Sequence, residues 1–213
     1  AVSIKDLAVR LPDGAPLVNA SDILIRAGER VLVSGPSGAG KSTLFRALAG
    51  IWPFGAGTIT VPKGARVMTL PQRPYFPIAP LAAAVAYPAE PDTFDSAKVA
   101  ELITAVGLPA LASRIEEEAH WNRMLSLGEQ QRLGIARALL HAPDYLFLDE
   151  ATASLDEPSE AALYQLLEQR LPKATIVSIG HRSTLAAFHR RRLALSREGD
   201  HYAVRESALA PAE

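Results

Sequence analysis

The sequence predicts an α/β fold: a mostly parallel sheet, an antiparallel β element near the N-terminus and an inserted helical subdomain. Three observations support this prediction. Short apolar runs typical of strands alternate with helical patterns at both ends of the chain. A glycine-rich loop follows one of these runs and opens a helix. Between about residues 74 and 135 the strand pattern thins and helical patterns replace it.

The first third of the chain is predicted to be rich in strands. Alternating or continuous apolar runs, bounded by Gly, Pro and Asp, indicate them. The predicted strands are Val2–Arg10, Ile23–Arg26, Arg30–Ser34, Thr58–Val61 and Ala65–Leu70. A helix over Lys41–Ala49 is expected directly after the glycine-rich loop.

The remainder combines helices with two apolar strands. Ser96 is expected to cap a helix that runs to about Val106, because Val99, Leu102 and Ile103 fall on one face of it. The other predicted helices are Leu127–Leu140 and Pro158–Leu171, and the predicted strands are Tyr145–Leu148 and Thr175–Ile179.

Composition narrows the class of protein. The 213 residues suit one domain, and 48% hydrophobic with 21% charged residues indicate a globular chain. A net charge of −1 provides no broad basic field for a phosphate backbone. The absence of cysteine excludes a disulfide scaffold, thiolate metal sites and thiol catalysis. The sequence predicts neither a membrane-spanning helix nor a signal peptide.

The strongest functional pattern is the loop Gly35-Pro36-Ser37-Gly38-Ala39-Gly40-Lys41-Ser42, which matches G-x-x-x-x-G-K-[ST]. Backbone amides in such a loop can converge on phosphate oxygens, and the helix N-terminus adds a positive dipole end. Lys41 is expected between the β- and γ-phosphates, the Ser42 hydroxyl on Mg²⁺ and Thr43 on the α-phosphate. A plain glycine-rich turn with a surface lysine is the alternative, and the strand–loop–helix context argues against it.

A second pattern is an apolar strand that ends in two carboxylates, Asp149 and Glu150. In open α/β sheets, ligands bind at the carboxyl ends of the strands. Asp149 is therefore expected to hold Mg²⁺, and Glu150 to polarise the attacking water. Two solvated acids at the start of a helix are the alternative, which the phosphate loop makes less favourable.

These two patterns resemble the nucleotide-binding domain of ABC transporters, and four further segments carry the resemblance. The segment Leu125–Arg132 resembles the ABC signature, and Gln72 matches the glutamine of the Q-loop. The segment Ala153–Asp156 matches the D-loop, and His181 matches the switch histidine. The resemblance covers about residues 2 to 205.

The resemblance implies a P-loop ATPase core, ATP as substrate and Mg²⁺ as cofactor. It makes Glu150 and His181 catalytic and assigns Mg²⁺ to Ser42, Gln72 and Asp149. The remaining implied nucleotide contacts are Gly35, Pro36, Ser37, Gly38, Ala39, Gly40, Lys41, Thr43 and Gln72. Where the family often has an adenine-stacking aromatic residue, this sequence has Leu11. Ser126, Leu127, Gly128 and Glu129 are implied to contact ATP bound by a partner chain, and Ser154 and Asp156 form the D-loop.

The segments around Gln72, His181 and Ala49–Pro53 look like those of the D-type half transporters, which include bacterial peptide- and cobalamin-uptake and peroxisomal fatty acyl-CoA relatives. Residues 1–213 are then one ATP-binding domain, with a helical subdomain at about 74–135. The missing initiator Met fits excision from a longer chain with an N-terminal membrane domain. The implied partners are a transmembrane domain and a second ATPase domain, in an ATP-dependent head-to-tail dimer. The implied location is the cytoplasmic face of a membrane, in bacteria the inner membrane.

Two other functions stay open at this level. A non-transport ABC ATPase that acts on nucleic acid or ribosomes would share all these motifs. The net charge of −1 argues against it, and the basic run His189–Arg192 is expected to be a solvated face too short to bind nucleic acid. No nucleic-acid partner is therefore expected. A nucleotide-gated assembly module that barely hydrolyses ATP is the second, and the presence of Glu150 and His181 argues against it.

Overall fold

The computed structural model describes residues 1–36, 38–49 and 55–209. Its strands are β1 Val2–Arg10, β2 Pro16–Ala20, β3 Ile23–Ile25, β4 Arg30–Ser34, β5 Gly55–Thr60, β6 Val67–Leu70, β7 Ala79–Pro80, β8 Glu118–Ala119, β9 Tyr145–Asp149, β10 Thr175–Ile179, β11 Arg191–Glu198 and β12 His201–Ala208. Its helices are α1 Lys41–Leu48, α2 Leu81–Ala86, α3 Ser96–Ala105, α4 Pro109–Ala112, α5 Trp121–Met124, α6 Leu127–His141, α7 Glu157–Arg170 and a 3-10 helix at Ser183–Phe188. Within these described ranges, no helix is long and apolar enough to cross a membrane.

The chain forms two compact units. The first contains residues 1–69, 144–149 and those from 173 onward. Its sheet places the parallel strands β11, β4, β10 and β9 side by side, while β1 pairs antiparallel with β2, β3 and β5. The strands β4, β9 and β10 are nearly continuous apolar runs, as expected for parallel strands buried on both faces. The predicted α/β architecture with an antiparallel β element is confirmed.

Helix α1 is fixed to this sheet by its apolar face. Leu44, Phe45 and Leu48 are buried, and the ring of Phe45 meets that of Phe147 edge to face at a centroid distance of 5.2 Å. Such ring pairs add about 0.5–1.5 kcal/mol beyond the burial of apolar area. The packing holds the N-terminus of α1 beside strand β9, where the predicted phosphate loop ends.

The second unit contains residues 70–143 and 150–172, and the predicted helical subdomain at 74–135 falls within this range. Its centre is α6, which is buried along most of its length. Two helix starts differ from the predictions by one residue. Asp95 rather than Ser96 caps α3, by accepting a hydrogen bond from the amide of Ala97, and α7 begins at Glu157 behind its cap Asp156. Asp, like Ser, is a strong cap, which accounts for a helix that starts at Ser96, one residue earlier than predicted.

The expectation of a solvated basic run at His189–Arg192 is wrong for His189 and Arg191, whereas Arg190 is exposed. His189 is buried, and Arg191 lies in β11, where it pairs with Glu29 and, at 2.6 Å, with Glu206 of β12. Glu206 comes from the antiparallel partner strand β12 and Glu29 from the residue before β4, and the sequence patterns predicted neither contact. Arg191 is therefore a structural ion-pair residue, which further weakens any reading of the run as a nucleic-acid contact.

Candidate nucleotide-binding site

The predicted phosphate loop connects β4 to α1 in the first unit. Lys41 is 6% exposed, and its ammonium donates to the carbonyl of Gly35 at 2.5 Å, so the side chain folds back over the loop. Gly40 ends the loop, and its carbonyl accepts the first helical hydrogen bond of α1 from the amide of Leu44. Ser37, which the sequence also places here, lies outside the described residues.

Gly40 is required for two independent reasons. Its φ of +89° lies in the left-handed region, which residues with a side chain rarely adopt. A Cβ at this position would also approach Leu17 Cγ and Val18 Cγ2 to 2.8 Å. The loop therefore rests directly on β2, and glycine permits this close approach.

Ser42 and Asp149 meet at the end of the loop. The Ser42 hydroxyl donates to Asp149 Oδ1 at 3.1 Å, from the first turn of α1 to the carboxyl end of β9. Magnesium prefers oxygen ligands and usually takes one or two protein oxygens beside phosphate and water. The pair fits this pattern. Within the described ranges no group of three or more His, Cys, Asp or Glu side chains could hold a metal.

Glu150 follows β9 directly and has an unusual backbone. Its φ is +52°, in the left-handed region, and its carbonyl accepts from the amide of Ala153 at 3.2 Å. A non-glycine residue in this region costs about 1–3 kcal/mol and persists where its surroundings impose it, often at functional sites. The half-buried Glu150 is assigned to the second unit, whereas Asp149 belongs to the first.

His181 follows β10 and is exposed. The residues after it are held in place by burial and hydrogen bonds. The 3-10 helix places Leu185 in the core, and the ring of His189 bridges the carbonyl of Leu185 at 2.6 Å and the Ser178 hydroxyl at 2.8 Å. His189 was predicted as part of a solvated run, and only its position behind an apolar segment could have indicated burial. Through these bonds His189 ties the end of the 3-10 helix back to strand β10.

The pH dependence of stability tests this contact. Burial, with a smaller contribution from Arg30, lowers the pKa of His189 to about 4, against about 6.5 for an unfolded histidine. Above pH 6.5 the imidazole is neutral in both states. As pH falls from 6.5 towards 4, only the unfolded state gains the proton, so stability is lost. Between pH 7 and 5 we expect a loss of about 2 kcal/mol.

Urea unfolding at the two pH values measures this loss, with His189→Gln as the matched variant. The glutamine keeps a polar side chain and does not titrate, so its pH dependence over this window should be smaller by most of that amount. Equal pH dependence in the two proteins would show that His189 does not stay neutral in the folded state.

Leu11 lies in the first unit as well. It occupies the turn after β1, where its amide donates to the Ala15 carbonyl and its carbonyl accepts from Gly14, each at 2.9 Å. Its side chain is 37% exposed. An exposed apolar side chain on a fixed turn is available for a ligand, and its role at the adenine base remains a proposal.

The signature segment starts helix α6 in the second unit. The Ser126 hydroxyl accepts from the Glu129 amide at 3.2 Å, and the Glu129 carboxylate accepts from the Ser126 amide at 3.0 Å. This reciprocal capping box explains why a glutamate suits position 129. The capping box does not use the amides of Leu127 and Gly128, which lie in the first turn of α6. First-turn amides at a helix N-terminus commonly bind anions.

The D-loop packs against this first turn. A Cβ on Gly128 would lie 3.4 Å from Leu155 and 3.6 Å from the Ser154 carbonyl, so glycine permits the close approach. Asp156 accepts from the Ser159 amide at 2.8 Å and thereby caps α7. Both predicted D-loop residues thus lie on a short segment anchored at its two ends.

Gln131 is the buried residue of this region that the sequence patterns missed. It is 1% exposed, donates to the Gln72 carbonyl and accepts from the Ser154 amide, both at 2.9 Å. The structure therefore brings three predicted segments together in the second unit: that of Gln72, the signature helix and the D-loop. In the first unit it brings the phosphate loop to Asp149. Its place inside the signature was the only sequence signal for Gln131.

The parallel sheet, the glycine-rich loop and the pairing of Ser42 with Asp149 define a nucleotide-binding domain of the P-loop class. The family model described as ABC transporter matches residues 18–153. The chain belongs to the ABC transporter family, whose ATP-binding domains are ATPases.

Individual relatives support the same family assignment. The chain is 45% identical to an uncharacterized ABC transporter ATP-binding protein of Haemophilus influenzae, over 93% of this chain and 33% of that protein. It is 34% identical to ABC transporter D family member 1 of Arabidopsis thaliana, over 98% of this chain and 16% of that protein. A bacterial Atm1-family ABC exporter solved with ATP bound matches with a TM-score of 0.82 and 25% identity, over 97% of this chain and 38% of that one. The chain thus spans about a third of the first of these relatives.

Proposed function

We propose that this chain hydrolyses ATP to ADP and phosphate, and that the reaction powers the transport of a substrate across a membrane. The observation that carries the proposal is the 3.1 Å pairing of Ser42 with Asp149 at the end of a phosphate loop that contains the buried Lys41. A hydroxyl and a carboxylate on separate elements converge there on the place where a nucleotide-bound Mg²⁺ would be held.

The chemistry divides among named residues. Bound Mg²⁺ would neutralise phosphate charge, held by Ser42, Asp149 and Gln72. Lys41 and the amides of the loop stabilise the charge on the β- and γ-phosphates, which is where most catalysis of phosphoryl transfer arises.

Two other side chains act on the water. Glu150 polarises the water that attacks the γ-phosphorus, and the bond from that phosphorus to the bridging oxygen of ADP breaks. His181 contacts the γ-phosphate and orients the water. The left-handed backbone of Glu150 fits this assignment, because such conformations cluster at functional sites.

We propose further that two ATP-binding domains pair head to tail. The capped N-terminus of α6, with Ser126, Leu127, Gly128 and Glu129, would then face the γ-phosphate held by the phosphate loop of the partner. The capping box supports this role because it orients the first-turn amides while the Ser126 hydroxyl keeps its own proton to donate. Ser154 and Asp156 would contact the partner domain.

A transmembrane domain is the second proposed partner, and the segment 74–79 is its proposed contact. Tyr75 and Ile78 are 58% and 62% exposed. Hydrogen bonds hold the backbone of this segment in place. Asn122 bonds the Pro74 carbonyl and the Phe76 amide, while the buried Arg137 donates to the Tyr75 carbonyl at 2.8 Å. Large apolar side chains held outward on a rigid backbone suit docking against another domain.

The proposed location is the cytoplasmic face of a membrane, in bacteria the inner membrane. An Escherichia coli relative, 33% identical over 85% of this chain and 32% of that protein, is named inner membrane ABC transporter ATP-binding protein YddA. The alternative of a non-transport ATPase on nucleic acid or ribosomes is not favoured by relatives named as transporters.

ATP turnover with and without Mg²⁺ tests the proposed reaction. The purified chain, at saturating ATP and at concentrations that favour dimers, should release phosphate only when Mg²⁺ is present. Release that is equally fast in excess chelator, or no release under any condition, would contradict the proposal.

Replacing Leu11 with an aromatic residue tests the place of the adenine base. If Leu11 contacts the base, Leu11→Tyr should tighten ATP binding, since stacking of a base on an aromatic ring is worth about 1–3 kcal/mol in nucleic-acid complexes. Leu11→Ala is the control and should not tighten it. Titration calorimetry with ATP measures both, and an unchanged affinity in Leu11→Tyr would place the base elsewhere.

A further inference from the structure

Gln131 links two loops through the two ends of one side-chain amide. Its Nε2 donates to the backbone carbonyl of Gln72, and its Oε1 accepts from the backbone amide of Ser154. Both bonds measure 2.9 Å, and the residue is 1% exposed. The bonds reach backbone atoms, so they fix the course of both segments whatever side chains those segments carry.

Water cannot replace the partners of the Gln131 side-chain amide, because that amide is buried. Gln72 and Ser154 are themselves exposed, whereas the amide between them is buried. Loss of both partners would leave this amide buried and unpaired at a cost of about 1–3 kcal/mol, so both bonds are expected to be kept in the folded protein. A displacement of one segment is then passed to the other through a single side chain.

We propose that Gln131 is a positioning residue that couples the Gln72 segment to the D-loop. The inference rests on the proposed function, in which Gln72 serves the Mg²⁺ site and Ser154 serves the partner domain. Gln131 touches neither nucleotide nor metal in this account. It makes the two segments respond as one unit, so that a change at the Gln72 segment reaches the D-loop.

The neighbouring Gln130 supplies a matched control. It is 8% exposed, lies on the same helix and also uses both ends of its amide, but its partners are Asn122 and Leu125. Gln131→Met removes two buried side-chain hydrogen bonds and Gln130→Met removes three, both at nearly constant volume. Only the first removes the bridge.

Amide hydrogen exchange at Ser154 reads the bridge directly in the full chain. Gln131→Met should raise the exchange rate of this amide by about tenfold, the equivalent of one lost hydrogen bond. Gln130→Met should leave it near the wild-type value. If Gln131→Met does not fold, Gln131→Asn replaces it, because a side chain one methylene shorter cannot reach both partners.

Coupling is tested by loosening the first segment with Pro71→Gly, which frees its backbone. This change should speed Ser154 exchange in the wild-type background and have no further effect in Gln131→Met. The same acceleration in both backgrounds, or none in either, would overturn the proposal.

A kinetic readout completes the test. Gln131→Met should lower kcat for ATP by about tenfold and leave KM unchanged, because the phosphate loop is untouched. A kcat equal to that of Gln130→Met would overturn the positioning role. If the wild-type chain hydrolyses no ATP, the proposed function fails, and the exchange experiments still decide whether Gln131 couples the two segments.

Discussion

Glu150→Gln should retain ATP binding and slow hydrolysis by about 10²–10⁴-fold, the range for loss of a general base. The amide is nearly the same size as the carboxylate but cannot attract a proton from water. The variant should also accumulate an ATP-bound dimer, since hydrolysis is the step proposed to separate the partners. Phosphate release and size-exclusion chromatography with ATP measure the two effects.

Glu157→Gln is the matched control, because Glu157 is an exposed glutamate in the first turn of α7. It should hydrolyse ATP at close to the wild-type rate. A wild-type rate in Glu150→Gln would show that another group activates the water, and the strained backbone at Glu150 would then need a different explanation.

Lys41→Ala should nearly abolish productive ATP binding. Lys41 is the cationic side chain of the loop, and it is 6% exposed, so little water screens its charge. Loss of a charged contact at such a site costs about 2–4 kcal/mol, which corresponds to roughly 30- to 1,000-fold weaker binding. Titration calorimetry with ATP measures the change.

Arg46→Ala removes an exposed cation from the last turn of the same helix and serves as the control. Its ATP affinity should stay close to that of the wild type. An unchanged affinity and turnover in Lys41→Ala would remove the assignment of the phosphate loop.

The parts of the site that the sequence predicted best are those with a local cause. The loop from Gly35 to Ser42 is recognised by its spaced glycines, lysine and serine. Gly40 shows the local cause, because its backbone is left-handed and it lies directly on β2. The pairing of Ser126 with Glu129 also has a local cause, because a capping box spans only four residues. Strands such as β10, which begins at Thr175 and ends at Ile179 as predicted, are marked by nearly continuous apolar runs.

The parts that the sequence did not predict depend on partners far along the chain. Arg191 is bonded to Glu29 and Glu206, so its burial follows from the sheet rather than from its basic neighbours. The bond between His189 and Ser178 and the bridge made by Gln131 are of the same kind. Such polar contacts leave no periodicity, because each depends on the packing of separate elements.

The shared site is the central claim of the proposed mechanism, and mixing two inactive variants tests it most directly. Lys41→Ala spoils the phosphate loop and keeps the signature, whereas Ser126→Arg keeps the loop and places a bulky cation at the signature. If each ATP lies between the loop of one chain and the signature of the other, a mixed dimer contains one intact site. At saturating ATP, mixing should then restore part of the ATPase activity that neither variant has alone. No recovered activity at any mixing ratio, with both variants folded, would contradict the shared site.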